Sequence, residues 1–184
     1  MASIACLGWG SLIWSPRELP IRRQWFADGP LIQVEFARKA KDGRLTLALT
    51  ETDFRVRSLF ALMENGNDLD AACDALRKRE GIPAALGQQH IGRWSQGDAA
   101  PLYIEHLPQW AEARGFDHII WTGLPPGLEP PGPKPGLDDI FAYLDGLTGE
   151  TRDVAENYIR RAPRQTDTDY RRAIEARYGW LPLD

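Results

Sequence analysis

The segment Gly8-Trp9-Gly10-Ser11-Leu12-Ile13-Trp14 follows directly on the apolar stretch Ile4-Ala5-Cys6-Leu7. Two glycines flanking one residue after a buried strand describe backbone that turns sharply with its N–H groups free. Successive free N–H groups form a nest for an anion. The third glycine of a dinucleotide fingerprint is absent, Pro16 arrives before a helix has begun, and no Gly-Lys-Ser/Thr follows, so neither common phosphate loop is spelled out. The loop suits something smaller than a pyrophosphate, and a carboxylate is the natural ligand. A second residue fits its local setting poorly. Glu80 falls in the last turn of a helix that ends at Gly81, where the macrodipole disfavours negative charge; Arg77, Lys78 and Arg79 suit that position. The ordinary account has Glu80 exposed and paired with one of those cations, at a cost of about a few tenths of a kcal/mol.

Other residue types that do chemistry have ordinary readings here. Ser11 is a nucleophile by type, but no His is recognisably placed to activate it, and a turn role suffices. His90, His106 and His118 lack metal-ligand spacing. Glu51 and Asp53 lie on one extended segment and read as the solvated end of a strand. Arg38 and Arg44 flank a hairpin and are in reach of an anionic substrate, with solvated strand charges as the plainer reading. Trp9 and Trp14 fit either an aromatic wall against a ligand or a core. Trp121 and the proline-rich stretch after it fit a lid or a passive surface loop. The arginines Arg160, Arg161, Arg164, Arg171 and Arg172 are interleaved with Glu156, Asp167 and Asp169, the pattern of a solvated helix face.

The elements that must position these residues follow from periodicity and turn chemistry. Ile4–Leu7 reads as a buried strand. Leu31–Arg38 is strand-like with Ile32, Val34 and Phe36 on one face, and Lys41-Asp42-Gly43 signals a hairpin into a return strand over Leu45–Thr50. Val56–Met63 is partly apolar on both faces, as a central strand would be. A helix spans Leu69–Arg79, with Asn67 or Asp68 as N-cap, a stripe of Leu69, Cys73 and Leu76, Gly81 at C′ and Pro83 blocking continuation. A short strand over Gln88–Trp94, a helix over His106–Arg114 and a strand over Phe116–Trp121 come next. The prolines of the 123–136 stretch forbid regular helix or sheet, and three helices follow at Leu137–Leu147, Thr151–Arg161 and Thr166–Tyr178. Strands first and helices later indicate an α+β fold.

Composition narrows the class. At 184 residues and 43% hydrophobic content the chain can bury one sizeable core. The expected organisation is a core over 1–122, a Pro/Gly-rich loop over 123–136, and a helical extension over 137–184 packed on the same domain. A net charge of −4 with interspersed signs argues against nucleic acid as a partner. Cys6 and Cys73 offer neither a zinc set nor a CxxC. No signal-peptide pattern or membrane-length apolar run is present, so a cytoplasmic protein without a membrane partner is expected.

The Gly8-Trp9-Gly10-Ser11-Leu12-Ile13-Trp14 loop resembles the Tyr-Gly-Ser-Leu loop of the gamma-glutamylcyclotransferase-like superfamily, most closely its ChaC branch. Leu76-Arg77-Lys78-Arg79-Glu80-Gly81 is similar to that superfamily's helix end, which carries a catalytic Glu before Gly. The two motifs stand in the family's order, about seventy residues apart, and cover roughly the first 95 residues. The chain departs from the pattern at Trp9, where the family has Tyr, in having no Tyr soon after Glu80, and in its unmatched tail beyond Trp121. The resemblance implies a small mixed β-barrel or sheet with flanking helices. It also implies Glu80 as acid/base and Gly8, Trp9, Gly10, Ser11 and Leu12 as substrate-binding residues, to which Arg38 is added from its place beside the hairpin. The implied activity is cofactor-free and metal-free release of 5-oxoproline from a gamma-glutamyl amine or peptide, transferase or lyase in type. The chemistry is self-consistent. The substrate's own α-amine attacks its γ-carbonyl, one base must take a proton from it, and the same group can protonate the leaving amine. One partly desolvated carboxylate serves both steps, and backbone N–H groups that fix the folded substrate contribute by positioning. The alternative is a non-catalytic small-ligand-binding or regulatory module on the same fold, with Trp9 filling the substrate cavity. Nothing in the sequence specifies an oligomeric state.

Overall fold

A computed structural model describes residues 3–64 and 68–183. Its strands are β1 (Ile4–Gly8), β2 (Leu31–Ile32), β3 (Val34–Lys39), β4 (Leu45–Leu49), β5 (Val56–Arg57), β6 (Leu59–Leu62), β7 (Ile91–Ser95), β8 (Ile104–Glu105) and β9 (His118–Thr122). Its helices are α1 (Leu69–Glu80), α2 (Gly87–His90), α3 (Leu107–Ala113), α4 (Leu137–Asp145), α5 (Gly149–Arg161) and α6 (Asp169–Tyr178), with a 3₁₀ turn at Ala84–Leu86. The class is α+β. The chain divides into two compact units, one made of Met1–Gly8, Ser15–Ile32 and Arg57–Leu124, the other of Trp9–Trp14, Gln33–Val56 and Pro125–Asp184.

The first unit is organised by a four-stranded sheet of order β6-β1-β9-β7. β1 is buried along its whole length, pairing parallel with β9 and antiparallel with β6. A strand enclosed on both sides and both faces must be apolar throughout, which accounts for the unbroken Ile4–Leu7 run. β7 pairs antiparallel with β9, and α1 packs on both, burying Ala72 and Leu76. The Val56–Met63 strand expected from the sequence is broken at Ser58. The Ser58 N–H and hydroxyl both donate to the Pro30 carbonyl, at 3.1 and 2.9 Å, and the Gly29 N–H donates back to the Ser58 carbonyl. A Cβ on Gly29 would lie 2.5 Å from that carbonyl oxygen, so only glycine allows the approach. β6 is an edge strand of its sheet rather than a central one, and bridges from Ile21 to Met63 and Phe26 to Phe60 cover its outer side. Covering an edge removes an otherwise open row of backbone donors and acceptors.

In the second unit the β3–β4 hairpin carries the C-terminal helices, α5 against β4 and α6 against β3. Gly43 turns the hairpin at φ 82°, as the Asp-Gly signal anticipates. The 123–136 stretch forms no regular element over its described length, but from Pro125 it is strapped to β3. The Gly127 N–H donates to the Ala37 carbonyl at 2.7 Å, and the Lys39 N–H to the Gly127 carbonyl at 3.0 Å.

The small β-barrel is replaced by three open sheets of four, three and two strands; none closes among the described residues. Strands of two residues, as in β2, β5 and β8, supply too few ladder bonds to carry closure. The strand expected over Leu31–Arg38 likewise splits at Gln33, because β2 pairs with β8 and β3 pairs with β4. Gln88–His90 belong to a short helix, and the strand begins only at Ile91.

Candidate functional site

Helix α1 is built as its sequence demands. Asp68 is the N-cap and accepts the Ala71 N–H at 2.9 Å; Asn67, the alternative cap, lies outside the described residues. Gly81 takes φ 66°, and its N–H returns to the Arg77 and Lys78 carbonyls. Ala72, Leu76 and Glu80 recur every four residues and therefore share one face. Ala72 and Leu76 are buried by the sheet, so the same periodicity turns Glu80 inward, and its side chain is only 14% exposed.

The Glu80 carboxylate is held by one oxygen. Oε1 accepts from Arg79 Nη1 at 2.8 Å and from the Thr122 hydroxyl, at the end of β9, at 3.0 Å. Arg79 is 6% exposed and is itself anchored, with Nε and Nη2 donating to the Ser15 carbonyl at 3.2 and 2.6 Å. Arg17, with φ 54°, donates from Nη1 to the Arg79 carbonyl at 3.5 Å. Charge-assisted bonds of this kind offset the unfavourable place of a carboxylate at a helix C-terminus. Pairing with a neighbouring cation, the ordinary account of Glu80, therefore holds; the exposure that went with it does not. Burial, and then the negative charge of Glu80, push the nearby Cys6 thiol far above its usual range. A thiol kept protonated is a poor nucleophile.

Gly8 closes β1 in the first unit, opposite Leu59, while Trp9, Gly10, Ser11, Leu12 and Arg38 belong to the second unit. The Ile13 N–H donates to the Gly10 carbonyl at 3.0 Å, closing the turn. Neither Gly8 nor Gly10 has a positive φ. Gly10 is glycine for a different reason: a Cβ there would overlap the Tyr158 hydroxyl, which accepts the Leu47 N–H at 3.4 Å. Gly10→Ala is expected to cost about 1–3 kcal/mol by overpacking. Thermal unfolding of Gly10→Ala, Tyr158→Phe and the double variant checks this, the double variant recovering part of the loss. Trp9 is buried and its carbonyl accepts from the Thr166 hydroxyl at 3.5 Å. Trp14 packs edge-on to Tyr158, with ring centroids 5.4 Å apart, beneath the Arg161 guanidinium. Arg38 Nη1 donates to the Pro125 carbonyl at 2.5 Å, so this guanidinium helps strap the proline-rich loop.

Three polar residues matter more than sequence reasoning allows. Thr122 carries no sequence signal, since a Thr ending a strand is ordinary. Glu35 alternates against Val34 and Phe36 and reads as solvent-facing, but α6 covers that face and buries it completely. Its carboxylate accepts from the Thr168 hydroxyl at 2.5 Å and from the Phe36 and Tyr170 N–H groups at 2.8 and 3.3 Å. Burial pushes its carboxyl above the usual range, against the pull of those donors. Arg171 is withdrawn from the expected solvated helix face and is 1% exposed, whereas Arg160 and Arg172 stay partly exposed and pair with Glu156 and Asp167.

Among the described residues no group of three His, Cys, Asp or Glu is placed to hold a metal ion, and no helix is long and apolar enough to cross a membrane. His118 Nδ1 lies 2.9 Å from the Ser95 hydroxyl as a cross-strand pair between β9 and β7. No protein-family model, no curated protein and no solved structure matches this chain.

Proposed function

We propose that the chain is a gamma-glutamyl cyclotransferase-type enzyme, on a scaffold akin to the gamma-glutamylcyclotransferase-like fold, with Glu80 as its acid/base. One observation carries this reading: a half-buried carboxylate whose Oε1 is fixed by Arg79 and Thr122, which leaves Oε2 to exchange protons. The reading rests on this arrangement in the first unit alone.

The reaction forms a bond between the substrate's α-nitrogen and its γ-carbonyl carbon and breaks the γ-amide C–N bond. The α-ammonium loses two protons in becoming the lactam N–H, and the departing nitrogen gains two in becoming an ammonium. Oε2 carries them between two nitrogens of one folded substrate, so no other proton store is required. Arg79 and Thr122 act by holding the carboxylate where both nitrogens pass, without themselves changing charge.

Incubation with gamma-glutamyl amino acids, peptides and amines, followed by chromatographic assay, is expected to show 5-oxoproline released in equal amount to the free amine from at least one of them. No release from any member of the panel overturns the enzyme reading. Retained binding of a gamma-glutamyl compound without release would then indicate a binding module.

A further inference from the structure

We infer that Thr122 is a positioning residue for Glu80, an inference that rests on the acid/base reading given above. A glutamate carboxylate sits on three rotatable bonds, and a group that passes protons between two nitrogens must keep its orientation to a few tenths of an ångström. Arg79 refers that orientation to the Ser15 carbonyl, but it precedes Glu80 on the same helix and shares that helix's motions. Thr122 comes from a different element. It ends β9, which is paired on both sides by β1 and β7, and it stands opposite Ile91 in the β7 register. The next residue is tied down as well, the Gly123 N–H donating to the His90 carbonyl at 2.8 Å.

A β-branched residue in a strand has a restricted χ1, so the Thr122 hydroxyl is presented in a narrow range of directions. Its 3.0 Å bond therefore refers the carboxylate to the central sheet, while the 2.8 Å bond from Arg79 refers it to the backbone at Ser15 through the two bonds that arginine makes there. Both donors meet on Oε1, and that convergence is what distinguishes the two oxygens. A hydroxyl present only to fill space has no reason to converge with a guanidinium on one oxygen of a residue 42 positions away.

The test compares Thr122→Val, which keeps shape and strand preference but lacks the donor, with Thr122→Ser, which keeps the donor. Thr122→Ala repeats the deletion with a different packing defect. With a gamma-glutamyl substrate turned over by the unaltered protein, the Val and Ala variants are expected to lose about tenfold in kcat, the size of one hydrogen bond to a charged group. KM should stay within about twofold, because the residue does not bind substrate. The rate–pH profile should change along with kcat, which loss of a merely structural contact would not cause. Thr122→Ser should recover most of the rate. Unchanged kcat and pH profile in Val and Ala, or a Ser variant as slow as Val, overturns this inference and leaves the acid/base reading standing. Absence of turnover by the unaltered protein overturns both.

Discussion

Glu80→Gln is expected to lower kcat for 5-oxoproline release by about 10²–10⁴-fold, the range for loss of a general acid/base. The substitution isolates proton transfer from structure. The Gln carbonyl oxygen can occupy the place of Oε1 and still accept from Arg79 and Thr122, so the two bonds at 2.8 and 3.0 Å keep a partner. What is lost is an oxygen that can take up and release a proton. Arg79 retains its two bonds to the Ser15 carbonyl and is not stranded as a buried, unpartnered cation. The fold should therefore survive, with a change of about 1 kcal/mol or less, as for removal of one charge from a pair that stays hydrogen-bonded. Rate and thermal unfolding measured on the same preparation separate the two effects. A variant that turns over as fast as the parent would remove Glu80 from the mechanism, and one that fails to fold would show that the buried pair is mainly structural.

Arg171→Ala is expected to be the most damaging single change to stability. The guanidinium is 1% exposed and donates to four partners. Nη1 reaches the Pro163 and Thr166 carbonyls at 2.7 and 3.2 Å, Nη2 the Ala162 carbonyl at 2.9 Å, and Nε the Glu175 carboxylate at 3.0 Å. Those carbonyls lie in the connection from α5 to α6, and the Pro163 carbonyl also accepts the Thr166 N–H at 2.8 Å. Burial pulls the Arg171 pKa below its ordinary value and the Glu175 charge opposes that, but a guanidinium stays charged throughout. Truncation takes the guanidinium donor from the buried Ala162 and Thr166 carbonyls and from the Glu175 carboxylate, at a cost of about 3–5 kcal/mol, which at this chain length lowers Tm by about 10 °C. Arg171→Lys should restore little, because a point ammonium cannot span the fork that reaches three carbonyls. Denaturant melts of the two variants check both statements, and a loss below about 1 kcal/mol would mean that water replaces the guanidinium.

Local chemistry made much of this architecture readable in advance. β1 is apolar throughout because both its faces and both its edges are enclosed. The Asp-Gly turn, the Asp68 cap and the Gly81 stop each satisfy backbone groups within a few residues, and so they are visible in any short window of sequence. The three C-terminal helices follow from the same short-range rules. The split at Ser58 and the change of partner at Gln33 were not readable, since each depends on a distant segment: the Pro30 carbonyl in one case, β8 and β4 in the other.

The site divides along the same line. From the sequence alone, Glu80 stands out because a carboxylate in a final helical turn runs against the macrodipole, and the glycine loop after β1 because its pattern demands explanation. Tertiary structure decided the rest. Thr122, 42 positions away, and the Ser15 backbone determine how Glu80 is held, and Tyr158, far along the chain, is why Gly10 has no side chain. Glu35 and Arg171 are buried by packing that their own neighbours do not encode. Short-range signals specify where a helix or turn begins and ends; which side chains meet depends on contacts whose sequence separation no local rule covers.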